Sequence, residues 1–430
     1  MCTGCGACAY VDPNALRMLD TLDYGRRPFG TPGTEPSPQT LNVCPGIGLT
    51  HEGASDSAIR ELLPAWGPVL EVWEGFAVDP TLRHSASSGG IASALALFGV
   101  EEHGFAGVLH IRARTDFPYL NETVLSNSRT EILAATGSRY APASPCDGLG
   151  LVETAEGPCV FIGKPCDVAA TQLARRLRPR LDNNLAATIA IFCAGTPSTR
   201  GTFELLKHLG ITNPNTISRL QYRGFGWPGG VVVQLPTGEP DRRMSYGESW
   251  GLLQRYRQWR CYVCADHSGE FADIAVGDPW YREVLSGEPG RSLVLVRTER
   301  GRALLRAAQA AHYVQLEPVS PSVVSRSQPE LLRVRGAIWG RISTLRLLGA
   351  YTPKFGGFPS WRFWLSELTV REKLQSVYGT IKRVFTKRLL RPVHVEPLLY
   401  EQAPPCASEQ RKPGAALSGQ GSPPSQCSSQ

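Results

Sequence analysis

Cys2, Cys5 and Cys8 are spaced as C-x2-C-x2-C in CTGCGAC, and the intervening Gly4 and Gly6 permit tight turns. Three thiolates from one such loop converge on a single iron–sulfur cluster, whose fourth ligand is usually a cysteine followed by proline. Cys44–Pro45 supplies that pair in the N-terminal region. Zinc is the competing reading, but zinc sites favour two pairs of close ligands, whereas this triple spacing favours [4Fe–4S]. Cys261 and Cys264, in CYVC, are half of a second four-thiol site. Cys166 and Cys193 complete it on paper, because each follows an apolar strand-like run and lies in a Gly/Pro turn. In a parallel sheet such ends lie side by side, where ligands bind. The alternative is that Cys166 and Cys193 are ordinary buried cysteines. Cys146, Cys159, Cys406 and Cys427 are left without a role.

Ser87-Ser88-Gly89-Gly90 leads into the helix-forming run IASALALFGVEEHG. Small residues at a helix start expose backbone N–H groups that suit a phosphate. The turn is neither a P-loop nor a dinucleotide fingerprint, and a simple cap by Ser87 or Ser88 is the other reading. There is no G-x-S-x-G, and the eight histidines are scattered. His84, His110 and His267, near the motifs, read as surface or core side chains before proton donors.

These residues need elements to place them. Residues 1–60 are rich in Cys, Gly and Pro with little periodicity, so a metal centre rather than an apolar core is expected to order them. From 71 to 311 short apolar runs at 107–112, 159–163, 187–193 and 293–297 alternate with helical segments, among them 300–311. That alternation predicts an α/β fold with a mainly parallel sheet covered on both faces. The expected organisation is an N-terminal ferredoxin-like cluster segment (1–60), a domain carrying the second four-thiol site (61–325), a basic helical extension (326–400) and a disordered tail (401–430) in which Cys406 and Cys427 are incidental. No internal repeat is seen.

The net charge of +7 is uneven: residues 326–400 carry 14 Lys/Arg against 4 Asp/Glu, so the rest of the chain is net acidic. Without aromatic platforms or a reading motif, that asymmetry does not indicate nucleic acid. In the extension, Leu374, Val377, Ile381, Val384, Phe385 and Leu389 keep helical spacing, interleaved with Lys373, Lys382, Arg383, Lys387 and Arg388. Such a helix packs on its own protein or lies on an anionic membrane or acidic partner. The cysteine sites are expected to survive removal of everything after Ser325. No apolar run approaches membrane-spanning length, and the N-terminus lacks the basic and apolar regions of a signal peptide. A cytoplasmic protein is therefore expected, with the basic helix as the one element suited to peripheral contact with a membrane.

Nine stretches together carry a resemblance: CTGCGAC with a later CPG, SSGGIASAL, GSRY, FIGKPCDVAA, FCAGTPS, YRGFGWPGG, CYVCAD, ADIAVGD and SLVLVRTERG. In this order they resemble the beta-subunit family of coenzyme F420-reducing hydrogenase and dehydrogenase, whose relatives include 7-hydroxymethyl chlorophyll a reductase. The resemblance implies FAD and two [4Fe–4S] clusters, ligated by Cys2, Cys5, Cys8 and Cys44 and by Cys166, Cys193, Cys261 and Cys264. It places Ser87, Ser88, Gly89, Gly90, Gly137, Ser138, Arg139 and Tyr140 at the flavin. It implies an oxidoreductase that passes electrons between clusters and FAD to act on an organic substrate or on coenzyme F420 itself, with ferredoxin or another redox subunit as partner. The rivals are a non-catalytic electron-transfer subunit of a larger complex and a zinc-stabilised binding protein. The chain departs from the family in that Cys2 directly follows Met1, and the basic extension lies outside the resemblance.

Overall fold

A computed structural model describes residues 1–51, 53, 56–236, 239–285 and 287–398. The expected tail at 401–430, with Cys406 and Cys427, lies outside the described residues.

Eight strands form the main sheet, in the spatial order Val314–Pro318, Glu71–Ala77, Ser292–Val296, Ile274–Gly277, Leu185–Ile191, Cys159–Gly163, Gly107–Ala113 and Asn121–Ser126. The four strands from Ile274–Gly277 to Gly107–Ala113 are mutually parallel. Those flanking them pair antiparallel. The 293–297 run is therefore a strand, at Ser292–Val296, but it points the other way. Among the described residues no helix crosses over between Gly277 and Ser292, and a chain without a crossover returns antiparallel.

Alternate side chains of these strands enter two cores, as the period of two requires. Leu109, Phe161 and Leu295 pack on one face with Val168 and Ala174 of the Pro165–Arg175 helix. Val108, Val160 and Val294 pack on the other with Leu95 of Ile91–Glu101 and Leu304 of Glu299–Ala310. All five residues of Ser292–Val296 are buried, which fits a strand covered on both faces.

Within Gly107–Ala113, His110 meets Ser126 Oγ at 2.8 Å, and burial lowers its pKa to about 4. The folded protein thus keeps His110 neutral down to about pH 4, while the unfolded chain takes up the proton near pH ~6.5. Stability is expected to fall as pH drops through that window, because the unfolded state binds more protons. Thermal unfolding of His110→Gln between these pH values should show a shallower slope; an unchanged slope would remove His110 as the cause.

The N-terminal segment does not stand apart. Tyr10, Val11 and Val43 are buried in the same core as Phe161 and Val168, so apolar packing orders it. The basic extension also differs from expectation. Lys354–Gly356 pairs in parallel with Gly48–Thr50. Ile338, Ile342 and Leu345, on the Ile338–Leu347 helix, bury Val263 of the CYVC loop, and Arg341 donates to Tyr262 O at 2.6 Å. Cutting after Ser325 would strip this cover from Cys261 and Cys264, so the cysteine sites are not independent of the extension.

The final helix, Val370–Thr386, buries Ser376, Thr380 and Val384. Of the predicted stripe only Val384 is buried, while Leu374 and Phe385 are 66% and 61% exposed. Close approach selects the small face: a Cβ on Gly340 would fall 2.3 Å from Ser376 Oγ. Among the described residues no helix is long and apolar enough to cross a membrane.

Candidate functional site

Cys166 follows the Cys159–Gly163 strand and Cys193 follows Leu185–Ile191, and these strands are parallel neighbours. Both cysteines therefore leave the same edge of the sheet. Cys193 N donates to His267 O at 2.9 Å, which draws the segment after CYVC to that edge. The result is one cavity lined by Cys166, Cys193, Cys261 and Cys264, with Thr3, Arg260 and His267.

The electrostatics of this cavity suit an anionic group held by thiolates. Burial and the neighbouring Cys261 push the Cys193 thiol up to about 12, burial pushes Cys264 up to about 11, and burial also raises Cys166. Three such thiols do not ionise together without positive charge beside them. Lys164, its Nζ 2.6 Å from Asp167 Oδ2, lowers Cys166 and Cys193, and Arg260 lowers Cys264. Thr196 N–H donates to Cys261 Sγ at 3.3 Å. Four sulfur donors, no carboxylate among the four, and cations around them fit the donor chemistry of an iron–sulfur cluster. Among the described residues no group of three or more His, Cys, Asp and Glu side chains is drawn together to hold a single metal ion.

Cys2, Cys5, Cys8 and Cys44 are also near neighbours. Burial first, and then Cys5, Cys2 and Cys44, push the Cys8 thiol up to about 12. Gly46, two residues past Cys44, lies against the N-terminus: a Cβ there would fall 2.3 Å from Met1 O and 3.3 Å from Cys44 Sγ. Cys146, unassigned from sequence, joins this group. Its N–H donates to Cys5 O at 2.9 Å, and its thiol is hydrogen-bonded to Cys5, holding Cys5 below the ordinary thiol range while burial raises Cys146. No spacing rule marks Cys146, because the contact spans the chain from residue 5 to the Pro145–Gly148 turn.

The two cysteine groups abut. Thr3 comes from the first loop yet lines the second cavity. The buried Arg260 donates to Pro45 O at 3.1 Å and to Val263 O at 3.0 Å, tying the Cys44 turn to the CYVC loop.

The Ser87–Gly90 turn lies farther along the same sheet edge, above Gly75 and Ser292. Ser88 Oγ donates to Arg291 O at 2.7 Å, and Gly89 N–H donates to Ser292 Oγ at 2.9 Å. That N–H is therefore taken. Gly90 has φ +78° and opens the Ile91–Glu101 helix, which no side chain caps. The serine-cap reading is thereby set aside. Ser138 N–H donates to Ser87 Oγ at 2.5 Å, so the 87–90 and 137–140 segments meet. Gly137 lies against Arg223 O, 2.8 Å from where its Cβ would stand. Arg139 is committed inside the protein, to Asn121 Oδ1 and the carbonyls of Leu220, Pro118 and Leu120. Tyr140 packs against Trp250, with ring centroids 5.2 Å apart.

Residues not singled out from sequence complete this end. Arg223 forms a two-pronged pair with Asp278 at 2.8 and 2.7 Å, and Trp227 Nε1 donates to the same carboxylate at 3.0 Å. Trp280 stacks on Trp227 and Tyr246, at 5.3 and 5.6 Å. Asp278 follows Ile274–Gly277, the parallel neighbour of the strand before Cys193, so this group and the cysteine cavity share an edge.

Comparison with known proteins bears on the whole arrangement. The family described as "Coenzyme F420 hydrogenase/dehydrogenase, beta subunit N-term" matches residues 72–149, and the counterpart family for the C-terminal part of the same beta subunit matches 158–322. The chain is 23% identical over 266 residues to the coenzyme F420 hydrogenase subunit beta of Methanosarcina barkeri, covering 60% of this chain and 84% of that one. It is 24% identical over 262 residues to the F420-dependent formate dehydrogenase subunit beta of Methanocaldococcus jannaschii, covering 60% of this chain and 65% of that one. A chain of the F420-reducing [NiFe] hydrogenase complex from Methanosarcina barkeri shares the fold, with a TM-score of 0.51 at 20% identity over 65% of this chain and 94% of that one.

Proposed function

From the premise that the chain belongs to the coenzyme F420 hydrogenase/dehydrogenase beta-subunit family of oxidoreductases, we propose that it is an iron–sulfur flavoprotein that exchanges electrons between two [4Fe–4S] clusters and FAD. The observation that carries this reading is the single sheet edge shared by the four-thiol cavity and the Ser87–Gly90 turn. FAD when bound takes two electrons as a hydride and releases them singly, and cubane clusters carry single electrons.

The chain's own residues have separable tasks. Cys166, Cys193, Cys261 and Cys264 hold one cluster, with Lys164 and Arg260 offsetting its charge. Cys2, Cys5, Cys8 and Cys44 hold the other, beside Thr3. The uncapped start of Ile91–Glu101 presents N–H groups to the flavin's phosphates. Trp280 and Tyr246 form an apolar wall at the same end. The reductant or acceptor is ferredoxin or another redox subunit, and the substrate is an organic molecule or a deazaflavin of the F420 type. The relatives are named as subunits, which favours a second reading, electron transfer to a partner that performs the chemistry. Assay of the anaerobically purified chain alone, with a one-electron donor and F420, separates the two: flavin reduction with turnover supports the enzyme, and flavin reduction without turnover supports the electron-transfer role.

Ser87→Ala probes the flavin end. It removes the acceptor of the Ser138 N–H, worth about 1 kcal/mol of stability where the two segments meet, and is expected to weaken FAD binding with cluster absorbance unchanged. Equal FAD affinity in the variant would move the flavin elsewhere. Gly89 is the wrong probe, because a Cβ would fall 2.6 Å from Gly75 O and 2.7 Å from Ser292 N and so break the sheet itself.

A further inference from the structure

The final helix turns its large apolar side chains away from the protein. Val370, Leu374, Tyr378 and Phe385 are 72%, 66%, 71% and 61% exposed. At 100° per residue they share, with Ile381, an arc of about 80°. The buried face opposite the solvent is small instead, made by Ser376, Thr380 and Val384. The core therefore does not use the stripe. On the neighbouring Ser360–Glu367 helix, Trp361 and Leu365 are also exposed, 47% and 53%. A row of exposed large apolar side chains along one helix face marks an interaction site.

Its border is cationic. Arg371 and Lys382 lie along one side of the arc and are exposed, and Lys387, Arg388 and Arg391 follow the helix, also exposed. The helix has one acidic residue, Glu372, which lies on another face and is held by Thr369 in the capping box. The cations are spaced along the border rather than gathered at one point. Trp361 and Tyr378 are aromatics with one polar atom each, a type enriched at the headgroup layer.

We propose that this face lies on a membrane surface carrying anionic lipid headgroups, with the Val370–Phe385 stripe inserted at the headgroup boundary and Arg371 and Lys382 against the lipid phosphates. The proposal is independent of the redox chemistry, because none of these residues lines the cysteine cavity.

Flotation of the full chain decides it, with vesicles of equal parts phosphatidylcholine and phosphatidylglycerol against vesicles of phosphatidylcholine alone. The expected result is flotation with the anionic vesicles, weakened by salt and reduced about tenfold on phosphatidylcholine alone. Leu374→Asp with Tyr378→Asp should abolish it, and Arg371→Glu with Lys382→Glu should weaken it, in proteins whose circular dichroism matches the native chain. No flotation of the native protein would overturn the proposal, as would flotation that both variants retain. A doubled molecular mass lost in the same variants, without flotation, would assign the stripe to a second copy of the chain instead.

Discussion

Replacing Cys193 by serine is expected to remove about half of the iron from the anaerobically purified protein, from about eight to about four atoms per chain. Cys193 is set at the sheet edge by its strand and by the bond from its N–H to His267 O, so a serine there is held in the same place. The difference is then one of ligand chemistry, since a buried serine hydroxyl does not ionise to bind iron as a thiolate does. The Ser87–Gly90 turn bonds to Ser138, Arg223, Arg291 and Ser292, none of which lines the cysteine cavity, so FAD should remain bound. Reduction of that FAD by a one-electron donor should fail. Iron content unchanged from the native protein would make Cys193 an ordinary buried cysteine.

Arg223→Met is expected to be the most damaging single change away from the cysteines. Arg223 is buried and makes both guanidinium bonds to Asp278, and it also donates to Pro228 O at 2.7 Å. Its loss strands the Asp278 carboxylate with the Trp227 indole as remaining donor. Removing one partner of a buried pair costs about 3 kcal/mol or more, which lowers the melting temperature by roughly 6 to 12 °C in a domain of this size. Arg223→Met with Asp278→Leu should be less destabilised than Arg223→Met alone, because no orphan charge is left. A double variant as unstable as the sum of the two single ones would show that the pair is not the unit.

Three of the four parallel strands were legible as short apolar runs, and the two that end in Gly/Pro turns placed Cys166 and Cys193 at strand ends; the short Ile274–Gly277 was not read as a strand. The reversed direction of Ser292–Val296 was not, since direction depends on the connection and not on the strand's residues. Arg139 read as a flavin contact by resemblance, yet its guanidinium joins four groups from two distant segments, a commitment that only tertiary structure shows. Asp278 was missed for a similar reason: its partner Arg223 lies 55 residues away. In the final helix the periodicity was right and the face was wrong. Apolar spacing locates a stripe, but the close approach of Gly340 to Ser376 decides which face is buried.

Two clusters held by eight cysteines beside a flavin would fix the composition of the protein. Anaerobic purification followed by iron, acid-labile sulfide, zinc and flavin analysis reads that composition. The expected content is about eight iron and about eight sulfide per chain, with FAD at one equivalent and no stoichiometric zinc. Zinc in place of iron, with no flavin, would exclude both clusters and leave a metal-stabilised protein without redox chemistry.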